Sequence, residues 1–264
     1  MVTLQEAAIP KSDPALRGDS ILGKAFAILG AFRHGPRLLS LSQIGRLSGV
    51  SKSTAHRVLA MLVELGAVER SGTEYRIGDM MFSYGSHSPE VALRAAALTH
   101  LASLLLQTRQ TVHFAVLRKQ EVLYLEQLST GTVISPATVG GRLPAHLTGA
   151  GKALLAYASA DTVNHYLNRP LTARTNASIT NPDALRHELA QIRSLGIAFD
   201  RAEVAHGVHC VAAPVRIGEH AVAAVSVAFP AGAGSGKTLI DPVRTAAVRI
   251  ARSLPLDEFD LGSL

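Results

Sequence analysis

The chain has 264 residues, 47% hydrophobic and 17% charged, with a net charge of +6. That length holds one large domain or two small ones with ample core, and the composition excludes a disordered chain. A pI near 9.8 suits a nucleic-acid partner, and a single cysteine, Cys210, excludes an intramolecular disulfide framework and fits a reducing cytoplasm.

Residues 1–19 carry two prolines and little periodicity, without the basic start and apolar block of a signal peptide, so they read as an arm. A first helix is expected from about Ser20 to Phe32, with Ile21, Ala25, Ile28, Leu29 and Phe32 on one face. The stretch Leu39–Tyr75 then reads as helix, tight turn, helix and hairpin. Ser40 and Gln43 have capping-box spacing, Ser48-Gly49-Val50 is a turn, and Ser51 is placed to cap the next helix. In that helix Ala55, Val58, Leu59, Leu62 and Val63 form an inward stripe, and Gly66 closes it. Lys52, Ser53, Thr54, His56 and Arg57 lie at its N-terminal end, where a recognition helix meets DNA. Residues 68–70 and 75–77 flank a turn containing Gly72, which predicts a wing carrying Arg70 and Arg76. Residues 20–78 hold eight Lys/Arg against three Glu, a net of +5, so nearly all of the excess positive charge sits here. The segment is read as a winged helix-turn-helix that binds double-stranded DNA.

Asp79–Ser88 reads as a Gly/Ser-containing connector. Pro89 opens a long helix to about Arg109, with Val91, Ala95, Leu98, Leu101 and Leu105 on its apolar face. Strands are expected at 111–117, 121–128 and 132–137, with helices from about Thr148, at 161–167 and at 182–195. Further strands follow at 197–199, 208–216 and 221–229, and a last helix at 242–254. Strands at both ends with helices between predict an α+β domain with a mainly antiparallel sheet. No apolar run approaches the ~18 residues that span a bilayer, so no membrane partner is expected.

The helix expected at Gly149-Ala150 offers free N–H groups and the positive end of its dipole, which suit a carboxylate, and glycine permits close approach. Three rival signals stand beside this reading. Ala231–Thr238, AGAGSGKT, follows a strand and approximates a phosphate loop, but Pro242 comes five residues after Lys237 and too little chain follows for a nucleotide-binding sheet. Glu203, His206, His209 and Cys210, near Asp200, have residue types that ligate zinc, or line a polar pocket. Cys210 beside His206 or His209 has the makings of a nucleophile, yet adjacent strand residues point to opposite faces. No catalytic residue, cofactor or metal is expected.

Four segments, SKSTAHRVLAML (51–62), VGGRLPAHLTGAGKALLAY (139–157), LTARTNASIT (171–180) and SLGIAFDRAEVAHGVHCVAAPVR (194–216), occur in the order in which the chain resembles the isocitrate lyase regulator (IclR) family of bacterial transcription factors. The resemblance runs from about Ser20 to Leu254. It implies a winged helix-turn-helix at 20–78, a linker with the start of a linker helix at 79–94, and a GAF-like effector-binding domain at 95–264. It also implies dimers, often paired into tetramers, on palindromic operators. Carried over from the family pattern, Gly149 and Ala150 are the backbone-donor pair of the pocket, Asp200 its acid, Cys210 its cysteine, and Ser226 the first of two serines. The second serine is Ala228 here, and Val208 adds apolar surface, so the expected effector is a small organic acid, aromatic acids included, rather than one of the smallest and most polar. Gly45 stands where the family usually has alanine.

Overall fold

The computed structural model describes residues 20–33, 36–131, 135–234 and 236–254. The chain divides into two compact units, one ending at Ser88 and the other beginning at Pro89.

In the first unit, α1 (Ile21–Gly30) is capped by Ser20 and runs into a 3-10 turn over Ala31–Arg33. After β1 (Leu39–Ser40), α2 (Leu41–Ser48) begins with the complete capping box: Ser40 N–H donates to Gln43 Oε1 at 2.8 Å, and Gln43 N–H donates to Ser40 Oγ at 3.4 Å. The turn to α3 (Lys52–Glu64) is made by Gly49 at φ +71. A Cβ on Gly45 would lie 3.2 Å from the Val50 carbonyl oxygen, so the turn closes tightly against this position and glycine relieves it. β2 (Val68–Ser71) and β3 (Glu74–Ile77) form the hairpin, and β1 joins β3 in an antiparallel three-stranded sheet. Ile28, Leu39, Ile44, Val58, Leu59 and Tyr75 are in its core. Asp79–Gly85 is a helix, α4, where a connector was expected. None of its residues is buried and Phe82 is 80% exposed, so no periodic stripe marks it in the sequence.

The second unit opens with α5 (Pro89–Thr108) and the hairpin β4 (Thr111–Arg118) and β5 (Glu121–Leu128). The third strand described in this region is not the one expected at 132–137. Residues 132–134 lie outside the described residues, 135–137 are irregular, and β6 is a short strand at Arg142–Pro144. Three helices follow: α6 (Gly149–Leu155), α7 (Ala160–Leu167) and α8 (Pro182–Leu195). β7 (Ala198–Arg201), β8 (Val208–Ile217), β9 (His220–Pro230) and α9 (Ile240–Ser253) complete the unit. The last helix begins two residues before the expected start.

The six strands are ordered β6-β5-β4-β9-β8-β7, and every described pairing is antiparallel. The sheet is covered on both faces, which is why β4 is buried along most of its length instead of alternating. On one face α5 and α9 pack over Val112, Phe114, Val225 and Val227. On the other, α6 and α8 pack over Ala115, Ala212 and Ala224, and this face carries the cavity described below.

The α5 helix departs from expectation twice. By length and composition it is long and apolar enough to cross a membrane. Its inward residues are Leu93, Ala97, Leu101 and Leu104, while Val91, Ala95 and Leu98 are exposed. Of the five residues expected inward, Leu101 is fully buried and Leu105 packs against the core; the apolar surface extends round the helix, and periodicity alone placed the stripe partly on its outer side. Glu90 and Arg94 near its start pair with Arg118 at 2.9 Å and Glu126 at 2.6 Å.

Candidate functional site

The first candidate site is the outer face of α3. Ser51 Oγ accepts from Thr54 N–H and donates to Thr54 Oγ1 at 2.9 Å, so Thr54 is tied into the helix cap and is half-buried. Lys52, Ser53, His56 and Arg57 are exposed together at the first turns. On the wing, Arg70 Nε donates to the Gly72 carbonyl at 3.0 Å. Arg76 faces Glu69 across the hairpin and pairs with it at 2.6 Å, so its charge is locally balanced. The outer face of α3 thus combines a helix N-terminus with three cationic or imidazole side chains, and the hairpin carries two further arginines.

The second candidate site lies against the sheet face under α6. Cys210 on β8, Asp200 on β7 and Ser226 on β9 all line one cavity with Gly149, Ala150 and Val208. The cavity is small: the space open to a water-sized sphere is about 30 Å³, within about 390 Å³ of atom-free space that includes its open mouth. Gly149 lets α6 come this close: a Cβ there would press on Ala212 Cβ at 3.3 Å and Cys210 Sγ at 3.4 Å, while Gly151 fits α6 against the Ala145 carbonyl of the preceding 3-10 turn, which a Cβ would strike. Thr148 Oγ1 takes the Gly151 N–H at 2.8 Å, which leaves Gly149 and Ala150 as the helix-start donors nearest the cavity.

The β7–β8 turn is held rigidly. Asp200 Oδ1 accepts from the Glu203 N–H at 2.6 Å. Lys152, on α6 and 0% exposed, donates to Glu203 Oε1 at 2.6 Å and to Glu188 Oε1 at 3.3 Å. From the 171–180 segment, Thr175 Oγ1 donates to the Ala202 carbonyl and Ser178 Oγ to the Glu203 carbonyl, each at 2.8 Å. Burial pushes the Asp200 carboxyl up to about 7; the nearby Glu203 carboxylate adds to this, while the Glu203 N–H and Lys152 oppose it. Burial also raises the Glu203 carboxyl, against the pull of Lys152. The Cys210 thiol is pushed up to about 12 by burial and then by Asp200, so it stays protonated near neutral pH.

The cavity has walls that sequence reasoning missed. His113 on β4 and Tyr124 on β5 line it, with ring centroids 5.5 Å apart, and so do Thr148, Ala137, Leu143 and Val204. His113 stands in an apolar strand buried on both faces, where sequence gives it no partner. Lys152 carried a visible signal, a lone lysine inside the apolar run GAGKALLAY.

The rival features come apart in space. His206 is exposed, and His209 packs edge-on against Phe229, with ring centroids 5.8 Å apart. Among the described residues no three His, Cys, Asp or Glu side chains form a metal-holding group. Ala231–Ala233 is a 3-10 turn after an antiparallel strand, and Lys237 opens a second 3-10 turn before α9. A phosphate loop sits between a parallel strand and its helix, and this sheet has no parallel pair among its described strands.

A winged helix-turn-helix joined to an α+β unit with a cavity lined by an acid, a serine, a cysteine and a helix start is the build of a one-component gene regulator. Comparison with known proteins gives the family. The model of the bacterial transcriptional regulator IclR C-terminal domain matches residues 88–252, and that of the IclR helix-turn-helix domain matches residues 22–72. The transcriptional repressor IclR of Escherichia coli (strain K12) is 34% identical over 202 residues, 73% of each chain. The DNA-binding transcriptional repressor YiaJ of the same organism is 29% identical, with 98% of this chain and 96% of the relative covered. The crystal structure of an IclR homolog from Microbacterium hydrocarbonoxydans, complexed with 4-hydroxybenzoate, superposes with a TM-score of 0.82 at 31% identity, covering 90% of this chain and all of that one. The chain belongs to the IclR family of bacterial transcriptional regulators, and it is a ligand-responsive, DNA-binding regulator of transcription.

Proposed function

We propose that residues 20–78 read a palindromic operator near a promoter and that residues 95–264 sense a small organic acid, with 79–94 linking them. Lys52, Ser53, His56 and Arg57 enter the major groove, Thr54 shapes the helix start, and Arg70 and Arg76 meet the phosphate backbone. The acid places its carboxylate at the Gly149 and Ala150 N–H groups. Ser226 donates to it, Asp200 accepts from a hydroxyl or water, and Cys210 and Val208 form wall. The protein works on its effector by binding, with no turnover, no cofactor and no membrane partner, in the cytoplasm. The observation that carries this reading is the convergence of Gly149, Ala150, Asp200, Val208, Cys210 and Ser226, from the four elements α6, β7, β8 and β9, on one cavity. The 4-hydroxybenzoate in the related Microbacterium structure supports an acid as ligand.

A palindromic site demands a two-fold protein, so the chain acts as a homodimer or homotetramer. The exposed apolar residues Leu22 and Phe26 of α1 and Val91, Leu98 and Leu106 of α5 supply surface for that assembly. An effector changes operator affinity only as far as its own affinity differs between DNA-competent and incompetent states.

The DNA half is tested by gel-shift titration on the protein's own promoter. Arg57→Ala should weaken binding by about 1–3 kcal/mol if the guanidinium makes a bidentate base contact. Unchanged affinity in both Arg57→Ala and Lys52→Ala removes α3 as the recognition helix.

A further inference from the structure

One polar group in the pocket has no hydrogen-bond partner among the described residues. His113 is 2% exposed, and its Nε2 makes no hydrogen bond with the described residues. A buried, unpaired ring nitrogen is costly and uncommon, and one that borders a ligand cavity points to a partner supplied from outside.

Strand register locates this nitrogen relative to the helix start. His113 on β4 lies opposite Ser226 on β9, and Ser226 lies opposite Ala212 on β8, so the three form one row across the sheet. Gly149 stands directly over the Ala212 end of the row. The His113 backbone is therefore two strand spacings, about 10 Å, from that of Ala212, the residue against which Gly149 packs. That span matches a six-membered ring with polar groups at opposite ends and a hydrogen bond at each. A two- or three-carbon acid reaches one end only. Ser226 stands midway along the row, and the lining also carries the apolar Ala137, Leu143, Val204, Val208 and Ala228, which suit the faces of a ring better than a polyhydroxylated chain.

We propose that His113 is the second anchor of the pocket and holds a hydroxyl, or a comparable neutral polar group, at the end of a ring-length organic acid remote from its carboxylate. This rests on the reading that the carboxylate lies at Gly149 and Ala150. Burial lowers the His113 imidazole to about 4, so near neutral pH it is uncharged and offers one N–H or one lone pair at Nε2. An uncharged anchor selects a neutral group over a second carboxylate.

The test is calorimetric titration of the full chain with 4-hydroxybenzoate, benzoate and phenol, for wild type, His113→Leu and His113→Phe. The two variants delete Nε2 with different shapes, and thermal melts identify which is folded. Wild type should prefer 4-hydroxybenzoate to benzoate by about tenfold, the worth of one buried hydrogen bond. In the folded variant the ratio should fall to about one. A wild-type ratio near one, a ratio unchanged by loss of Nε2, or failure of both acids to bind at millimolar concentration overturns the proposal. Phenol reports on the other end. Phenol binding as tightly as 4-hydroxybenzoate, with the hydroxyl preference still lost in the variant, removes the carboxylate reading and leaves the His113 anchor standing.

Discussion

Raising the pH through 7 should weaken the binding of an organic acid to this protein, and Asp200→Asn should abolish the effect. Asp200 is buried, and its carboxyl titrates at about 7. The groups around it are Cys210 on the neighbouring strand, Glu203 and Lys152 beneath it, and the backbone at Gly149 above it. An acid with a raised pKa is neutral below that value and anionic above it. The ligand carboxylate is ionised throughout pH 6–8, so it is repelled by the Asp200 anion and accepted beside the protonated form. If only the protonated form binds, the competent fraction falls from about nine-tenths at pH 6 to about one-tenth at pH 8, a loss of about ninefold, or ~1.3 kcal/mol. Asparagine keeps an oxygen for the Glu203 N–H and carries no charge, so its affinity should be flat over the same range. Calorimetric titration with 4-hydroxybenzoate at pH 6, 7 and 8 checks both slopes. Wild-type affinity that is flat or rises with pH, or a slope that survives in Asp200→Asn, refutes the reasoning.

Two further perturbations probe the frame around the site. Lys152→Met leaves Glu203 buried without its cation and should lower unfolding free energy by about 3–5 kcal/mol in urea denaturation; a loss below about 1 kcal/mol would show that the pair is relieved by solvent. Leu98→Glu on α5 or Phe26→Glu on α1, each an exposed apolar side chain, should shift the protein toward monomer in light scattering, and unchanged assembly in both would move the subunit interface elsewhere.

The winged helix was legible because its signals are local. Capping by Ser40 with Gln43 and by Ser51, the positive φ of Gly49, Gly66 and Gly72, and a single inward stripe each depend on residues a few positions apart. α4 was not, since it buries no face and so leaves no period. α5 misled because both of its faces are apolar, and only the sheet beneath decides that Leu93, Ala97, Leu101 and Leu104 turn inward. Strand β6 is three residues long, below what alternation can register. In the pocket, the glycine helix start and the acid, cysteine and serine positions came from the family pattern. His113 and the Lys152–Glu203 pair did not, because their meaning lies in register across β4, β9 and β8 and in contacts 51 residues apart in sequence.

The central claim is that occupancy of the pocket is felt at the operator. Its most direct test is fluorescence anisotropy of a labelled fragment of the protein's own promoter, titrated with the full chain at several concentrations of an acid shown by calorimetry to bind. Operator affinity should change by about 5- to 150-fold between no acid and saturation, the usual range of coupling energies between sites. An operator affinity that stays constant while the pocket fills would contradict the account.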